Sequence, residues 1–263
     1  MKKIALALTA LAALTGTASA ADLAARPYAK AAPMPVAVAS WTGCYIGGGG
    51  GYGLWNQENT GYVQFPGAPA RVLNNQTSTA GGRGYFGTVQ GGCDYQFALG
   101  SWNMVVGAFG DYDFASEKGQ LNVVGNQFGQ EKLTDKWAVG GRIGWLVTPS
   151  LLTYFTGGYT EAKFDRVDFN TNLIPGAVTY INGNTYKGYF IGAGDEYALN
   201  FLPGLFWKTE YRFSEFDTKT NQLFVFGGNT PTFNTVDSRK YEHSVRSELV
   251  YRFNWGGAVV AKY

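Results

Sequence analysis

This sequence of 263 residues is poor in reactive side chains: one histidine, two cysteines and three methionines. A metal centre or a catalytic dyad built on imidazole or thiolate has almost nothing to draw on, and no cofactor or metal site is expected. His243 has Glu242 and Ser244 as neighbours, but adjacent side chains on a strand diverge, so the three do not form a nucleophile, base and orienter. No enzyme is expected. After the first twenty residues no apolar run approaches the roughly 20 residues of a spanning helix. Helical spacing of three and four is also missing, which excludes an amphipathic bundle.

The opening segment "MKKIALALTALAALTGTASA" has two lysines, a short apolar core and the small-x-small site Ala18-Ser19-Ala20. It reads as a secretory signal peptide over residues 1–20. Its removal takes Lys2 and Lys3 and brings the formal charge from +2 to zero, so nothing points to nucleic acid. Residues 21–40, rich in Ala and Pro, read as an extended periplasmic linker. In an exported chain Cys44 and Cys93 are expected to form a disulfide, two free buried thiols being the alternative.

What the sequence has in abundance is glycine, 37 residues, and aromatics, 16% of the chain. From Trp41 onward apolar residues recur with period two. In "GYFGTVQGGCDYQFALG", Tyr85, Val89, Cys93, Tyr95, Phe97 and Leu99 share a face opposite Thr88, Gln90, Asp94 and Gln96. Such alternation predicts eight strands near 42–55, 83–99, 101–115, 134–148, 151–166, 184–199, 204–218 and 241–255. Short turns at "ALGSW", Pro149-Ser150 and "NFLPG" alternate with polar connections of about 15 to 30 residues. The fold class expected is all-β, an eight-stranded antiparallel transmembrane β-barrel over residues 41–263, with short periplasmic turns and long extracellular loops.

Facing assignments follow. In "LFWKTEYRF" the outward set is Leu205, Trp207, Thr209, Tyr211 and Phe213, leaving Lys208, Glu210 and Arg212 inside. In the last strand Arg246, Glu248 and Arg252 point inward while Val245, Ser247, Leu249, Tyr251, Phe253 and Trp255 point outward. A hairpin symmetric about Gly227-Gly228 sets Glu210 opposite Arg246 and Lys208 opposite Glu248, with Asp111 and Arg142 as a third lumen pair. Trp137 and Trp145, eight residues apart, span ~20 Å along the membrane normal and mark two aromatic girdles, to which Trp207, Tyr251, Phe253 and Trp255 are added. In the glycine run, Gly47, Gly49, Gly51 and Gly53 face the lumen, where the large residues of the last strand leave little room. No Gly-Lys-Ser/Thr follows it, which excludes a phosphate loop. Asp195 falls on the lipid face, unless a bulge at Gly192 or Gly194 turns it inward.

The segments "ADLAARPY", "WTGCYIGGGGGYG", "KTEYRF" and "VRSELVYRFNW" together resemble the alpha-proteobacterial outer-membrane β-barrel family, the small porin-like or OmpA-type barrels that include the RopB-type proteins of rhizobia. The resemblance covers essentially all of the mature chain. It implies an integral outer-membrane protein surrounded by lipid and lipopolysaccharide, serving envelope integrity and surface interaction. It also implies insertion by the barrel-assembly machinery through an aromatic C-terminal signal, matched here by Tyr251, Phe253 and Trp255 or by a strand running on to Tyr263. A small-solute porin is the alternative, and haem binding through His243 a weaker one.

Overall fold

The computed structural model describes residues 40–123, 127–173 and 175–253. The signal segment, most of the linker, Trp255 and Tyr263 lie outside them. Ten strands form a single antiparallel sheet: β1 (Gly43–Val63), β2 (Val72–Leu99), β3 (Trp102–Val123), β4 (Gln127–Thr148), β5 (Leu151–Phe164), β6 (Val167–Thr171), β7 (Ala177–Ile181), β8 (Asn184–Ala198), β9 (Leu205–Val225) and β10 (Pro231–Phe253). The sheet closes on itself because β1 pairs with β10 from Cys44↔Phe253 to Val63↔Asn234. Closure removes the free edges that lipid could not hydrogen-bond.

The lower ring consists of β1, β2, β3, β4, β5, β8, β9 and β10. At the upper end β6 and β7 replace β5 and β8, pairing with β4 and β9 respectively. Each is a continuation of its neighbour across a two-residue break, at Asp165-Arg166 and at Asn182-Gly183. The barrel therefore keeps eight strands along its whole height.

The strands reach much further than the expected ranges. Only residues 64–71 lie between β1 and β2, and only 226–230 between β9 and β10. Their upper halves have the composition of loops because the exposed residues there, such as Asn56, Glu58, Lys118 and Gln120, are polar. Above the membrane the outside is wet, so the pattern inverts: polar side chains face out, while Leu121, Val123, Val167, Phe169, Ile181, Leu223 and Val236 form an apolar cluster inside. The long loops are corrected to short caps on an extended barrel.

On β1 the apolar outward face runs from Cys44 to Leu54, ten residue steps that span ~25 Å at the usual tilt. The periplasmic turns are tight, with Gly100 at φ 61° and Gly204 at φ 84°, a left-handed backbone that favours glycine.

Cys44 and Cys93 stand directly opposite on β1 and β2 and are joined by a disulfide. Their sequence separation of 49 makes the cross-link a long-loop constraint on the unfolded chain. Cys44→Ser with Cys93→Ser is expected to destabilise by about 2–4 kcal/mol, read as a lower urea midpoint in vesicles.

Candidate functional site

The interior decides what such a barrel does, and period-two alternation sends every second residue of each strand into it. Three apolar clusters separate charged layers. The lowest contains Trp41, Tyr45, Val105, Phe109, Tyr154, Phe190 and Phe206. The middle one contains Trp55, Phe86, Leu133, Phe164, Tyr186 and Phe216, and the third is the extracellular cluster described above. Trp41, fully buried, donates from Nε1 to the Pro149 carbonyl at 3.2 Å and so closes the periplasmic mouth.

Near that mouth four charges form a closed quartet. Arg142 bonds Glu196 at 2.8 Å and also holds Asp94, while Arg252 bonds Asp94 at 2.5 Å and Glu196 at 2.7 Å. Arg252 additionally donates to the Trp41 carbonyl at 3.2 Å. Each carboxylate meets two guanidinium groups, the condition under which buried charges are tolerated.

The middle layer holds the residues expected in the lumen, with different partners for some. Glu210 stands opposite Arg246 and Lys208 opposite Glu248, in the expected register. Lys208 reaches Glu248 at 3.7 Å and Glu210 at 3.3 Å. Glu210 is instead paired with Arg212 at 2.8 Å, and Arg246 turns to Asp113 at 2.9 Å and Asp111 at 3.5 Å. The expected Asp111–Arg142 pair is a correction: Asp111 takes Arg212 at 2.8 Å, and Arg142 belongs to the quartet below. Asp111 is in register with Ala138, four residues along β4 from Arg142. In a narrow barrel long side chains reach across the lumen, so partners come from distant strands as readily as from adjacent ones.

Other members were not singled out from sequence. Lys136 meets Glu242, Asp113 and Glu117, and Lys240 bonds Glu131 at 2.8 Å. Their signal was present, since each occupies an inward position of an alternating strand, but no adjacent-strand register connects Lys136 to Glu242. Between the upper layers a cavity of about 10 Å³, lined by Leu121, Glu131, Phe164 and Asn221 among others, has room for roughly one water.

The glycine run lies as expected, with Gly49 and Gly51 opposite Glu248 and Arg246. The crowding is closer than a side-chain size match. A Cβ on Gly49 would lie 2.1 Å from the Ser247 carbonyl oxygen, so strand coiling brings backbone itself against this position.

On the outer wall Trp145, Trp207, Tyr251 and Phe253 lie toward the periplasmic end and Trp137 toward the extracellular end. Asp195 stays outward, in unbroken register with Thr153 and Thr209, which excludes a bulge there. Thr153 Oγ1 donates to it at 2.6 Å. Ser247, also lipid-facing, accepts from Trp207 Nε1 at 2.9 Å. His243 is exposed on the same wall with Nδ1 2.7 Å from the Tyr211 hydroxyl, while Glu242 and Ser244 are buried inside. The three side chains diverge and form no catalytic group.

A closed eight-stranded barrel with an apolar, aromatic-flanked exterior and a charged, filled interior is the architecture of a bacterial outer-membrane protein, and this chain is one. No family model and no curated protein matches the sequence. Solved structures of low similarity include OprG of Pseudomonas aeruginosa, with 10% identity over 82% of this chain and 99% of that one and a TM-score of 0.44. The outer-membrane protease OmpT of Escherichia coli gives 11% identity over 80% and 97%, with a TM-score of 0.36. Ail, the attachment invasion locus protein of Yersinia pestis, solved with the heparin analogue sucrose octasulfate, gives 10% identity over 78% and 99%, with a TM-score of 0.33.

Proposed function

We propose that this chain is a non-conducting structural barrel of the outer membrane, belonging with the alpha-proteobacterial family that its sequence resembles, and interacting with its surroundings through its outer wall and extracellular rim. The observation that carries the reading is the filled lumen. Among the described residues sixteen charged side chains, nine acidic and seven basic, are buried in its layers among three apolar clusters. A solute path would have to break several ion pairs at once, each costing kilocalories to leave open. The proposed surroundings are outer-membrane lipid and lipopolysaccharide, with the barrel-assembly machinery acting during insertion. Catalysis is not part of the reading: among the described residues His243 faces outward while Glu242 and Ser244 point into the lumen. Haem binding is not part of the reading; His243 stands on the outer wall with Nδ1 2.7 Å from the Tyr211 hydroxyl.

The test is single-channel recording of the refolded protein in planar bilayers. Wild type is expected to be silent after insertion has been verified by its heat-modifiable mobility on gels. Frequent steps of stable size, altered by Glu210→Ala or Arg246→Ala, would replace this reading with a porin.

A further inference from the structure

The extracellular part of the wall carries charges that are mostly compensated. Lys187 pairs with Glu161 at 3.7 Å, Arg239 with Glu215, and Arg71 with Asp237 at 2.9 Å. One sector departs from this. Arg83 on β2 is directly opposite Lys118 on β3, and Lys118 is directly opposite Lys132 on β4. All three face outward, Arg83 and Lys118 exposed and Lys132 half-buried. Directly opposite side chains on an antiparallel pair lie about 5 Å apart, where like charges destabilise the sheet.

Among the described residues the row makes no ion pair, and the neighbouring carboxylate, Asp165, stands at its Lys132 end. Leu54 flanks it on β1, and Asp165 follows Lys132 on the far side through a backbone hydrogen bond of 2.9 Å. Among the described residues no carboxylate comes within 4.0 Å of any of the three cations. The row also has a defined depth. Arg83 is two residues above Tyr85, and Lys118 four above Phe114, both strongly exposed aromatics of the upper girdle. Tyr85 packs edge-on against Tyr52 at 4.9 Å, and Phe114 against Tyr112 at 4.9 Å. Aromatic girdles mark the boundary between acyl chains and headgroups, so the three cations stand at headgroup depth in the outer leaflet.

We propose that Arg83, Lys118 and Lys132 form a binding site for the anionic headgroup of an outer-leaflet glycolipid, whose phosphate or carboxylate groups supply the counter-charge that Arg83 and Lys118 lack. Tyr85 and Phe114 receive the start of the acyl region beneath. Two cations spaced like these on neighbouring strands suit a sugar bearing two anionic groups, and the guanidinium of Arg83 offers the bidentate geometry that oxyanions take. The site deepens the envelope role proposed above and rests on its orientation, long strands outward, but it is independent of whether the lumen conducts.

The experiment compares the full chain with Arg83→Gln/Lys118→Gln/Lys132→Gln and with the control Lys187→Gln/Arg239→Gln. Each is placed in nanodiscs of phosphatidylethanolamine containing either bisphosphorylated lipid A or the same lipid A dephosphorylated. Native mass spectrometry reads the glycolipid retained. Wild type and control should retain the phosphorylated form, and the triple variant should lose it about 100-fold, each charge contributing a factor of roughly five. In neutral detergent without glycolipid the triple variant should melt above wild type, because a row of like charges has been removed. Equal retention by wild type and triple variant would overturn the proposal, as it would if the row served a second protein or a second copy of the chain. Equal retention of both lipid A forms by wild type would overturn it without any variant. A wild type that retains lipid A yet conducts would overturn the filled-lumen reading alone.

Discussion

Arg252→Met is expected to destabilise the barrel by roughly 3–5 kcal/mol, the cost of breaking a buried pair from one side. The arginine is fully buried, bonds Asp94 at 2.5 Å and Glu196 at 2.7 Å, and holds the carbonyl of Trp41 at 3.2 Å. Removing it leaves two carboxylates sharing Arg142 alone, a net negative charge with no water to solvate it. The urea midpoint in lipid vesicles, followed by heat-modifiable gel mobility, measures the loss. Adding Glu196→Gln should recover most of it, since one carboxylate then matches one guanidinium. Arg239→Met is the contrasting case: its pair with Glu215 lies on the wet exterior, and the change is expected within about 1 kcal/mol of wild type. If Arg252→Met unfolds no more easily than Arg239→Met, the quartet is not what fixes the periplasmic end.

The second large effect separates two adjacent glycines. Gly49→Ala would put its Cβ 2.1 Å from the Ser247 carbonyl oxygen and 2.7 Å from the Glu248 Cα, both backbone atoms of the strand that closes the barrel. No rotamer change relieves such a clash, so β1 and β10 must separate locally, and the expected cost is about 3 kcal/mol or more. Gly48→Ala faces outward, and its nearest atom is the Thr88 carbonyl oxygen at 3.5 Å, an ordinary contact. Its expected effect is within about 0.5 kcal/mol. Folding yield of the two variants into vesicles, side by side, provides the check. Equal yields would mean that the seam has slack which the register does not show.

Residues within the membrane were legible because alternation there has a constant sense. Lys208, Glu210, Arg246 and Glu248 could be assigned to the lumen, and their cross-strand register foreseen, from period two and one hairpin centre. Ion-pair partners were less legible. Asp111 and Arg142 share a lumen but sit at different heights, and height depends on the stagger of all eight strands rather than on one hairpin. Above the membrane the rule changes sign, and "QLNV" or "VDFNT" there hides an inward-facing apolar set that resembles loop composition when its flanks are polar. The Arg83–Lys118–Lys132 row had no sequence signal at all, because three strands of different length had to be aligned before the charges met.

The last strand has a place in assembly as well as in the finished lumen. β10 carries Lys240, Glu242, Arg246, Glu248 and Arg252, whose partners on earlier strands include Glu131, Lys136, Asp113, Lys208 and Asp94. A nascent sheet lacking that strand would present several of these groups uncompensated to a closing, water-poor interior. Closure of the sheet and pairing of these buried charges are therefore one event. A barrel cut short before Pro231 should stall as an open sheet, leaving it with an edge and a charge imbalance by which an unfinished molecule differs from a finished one.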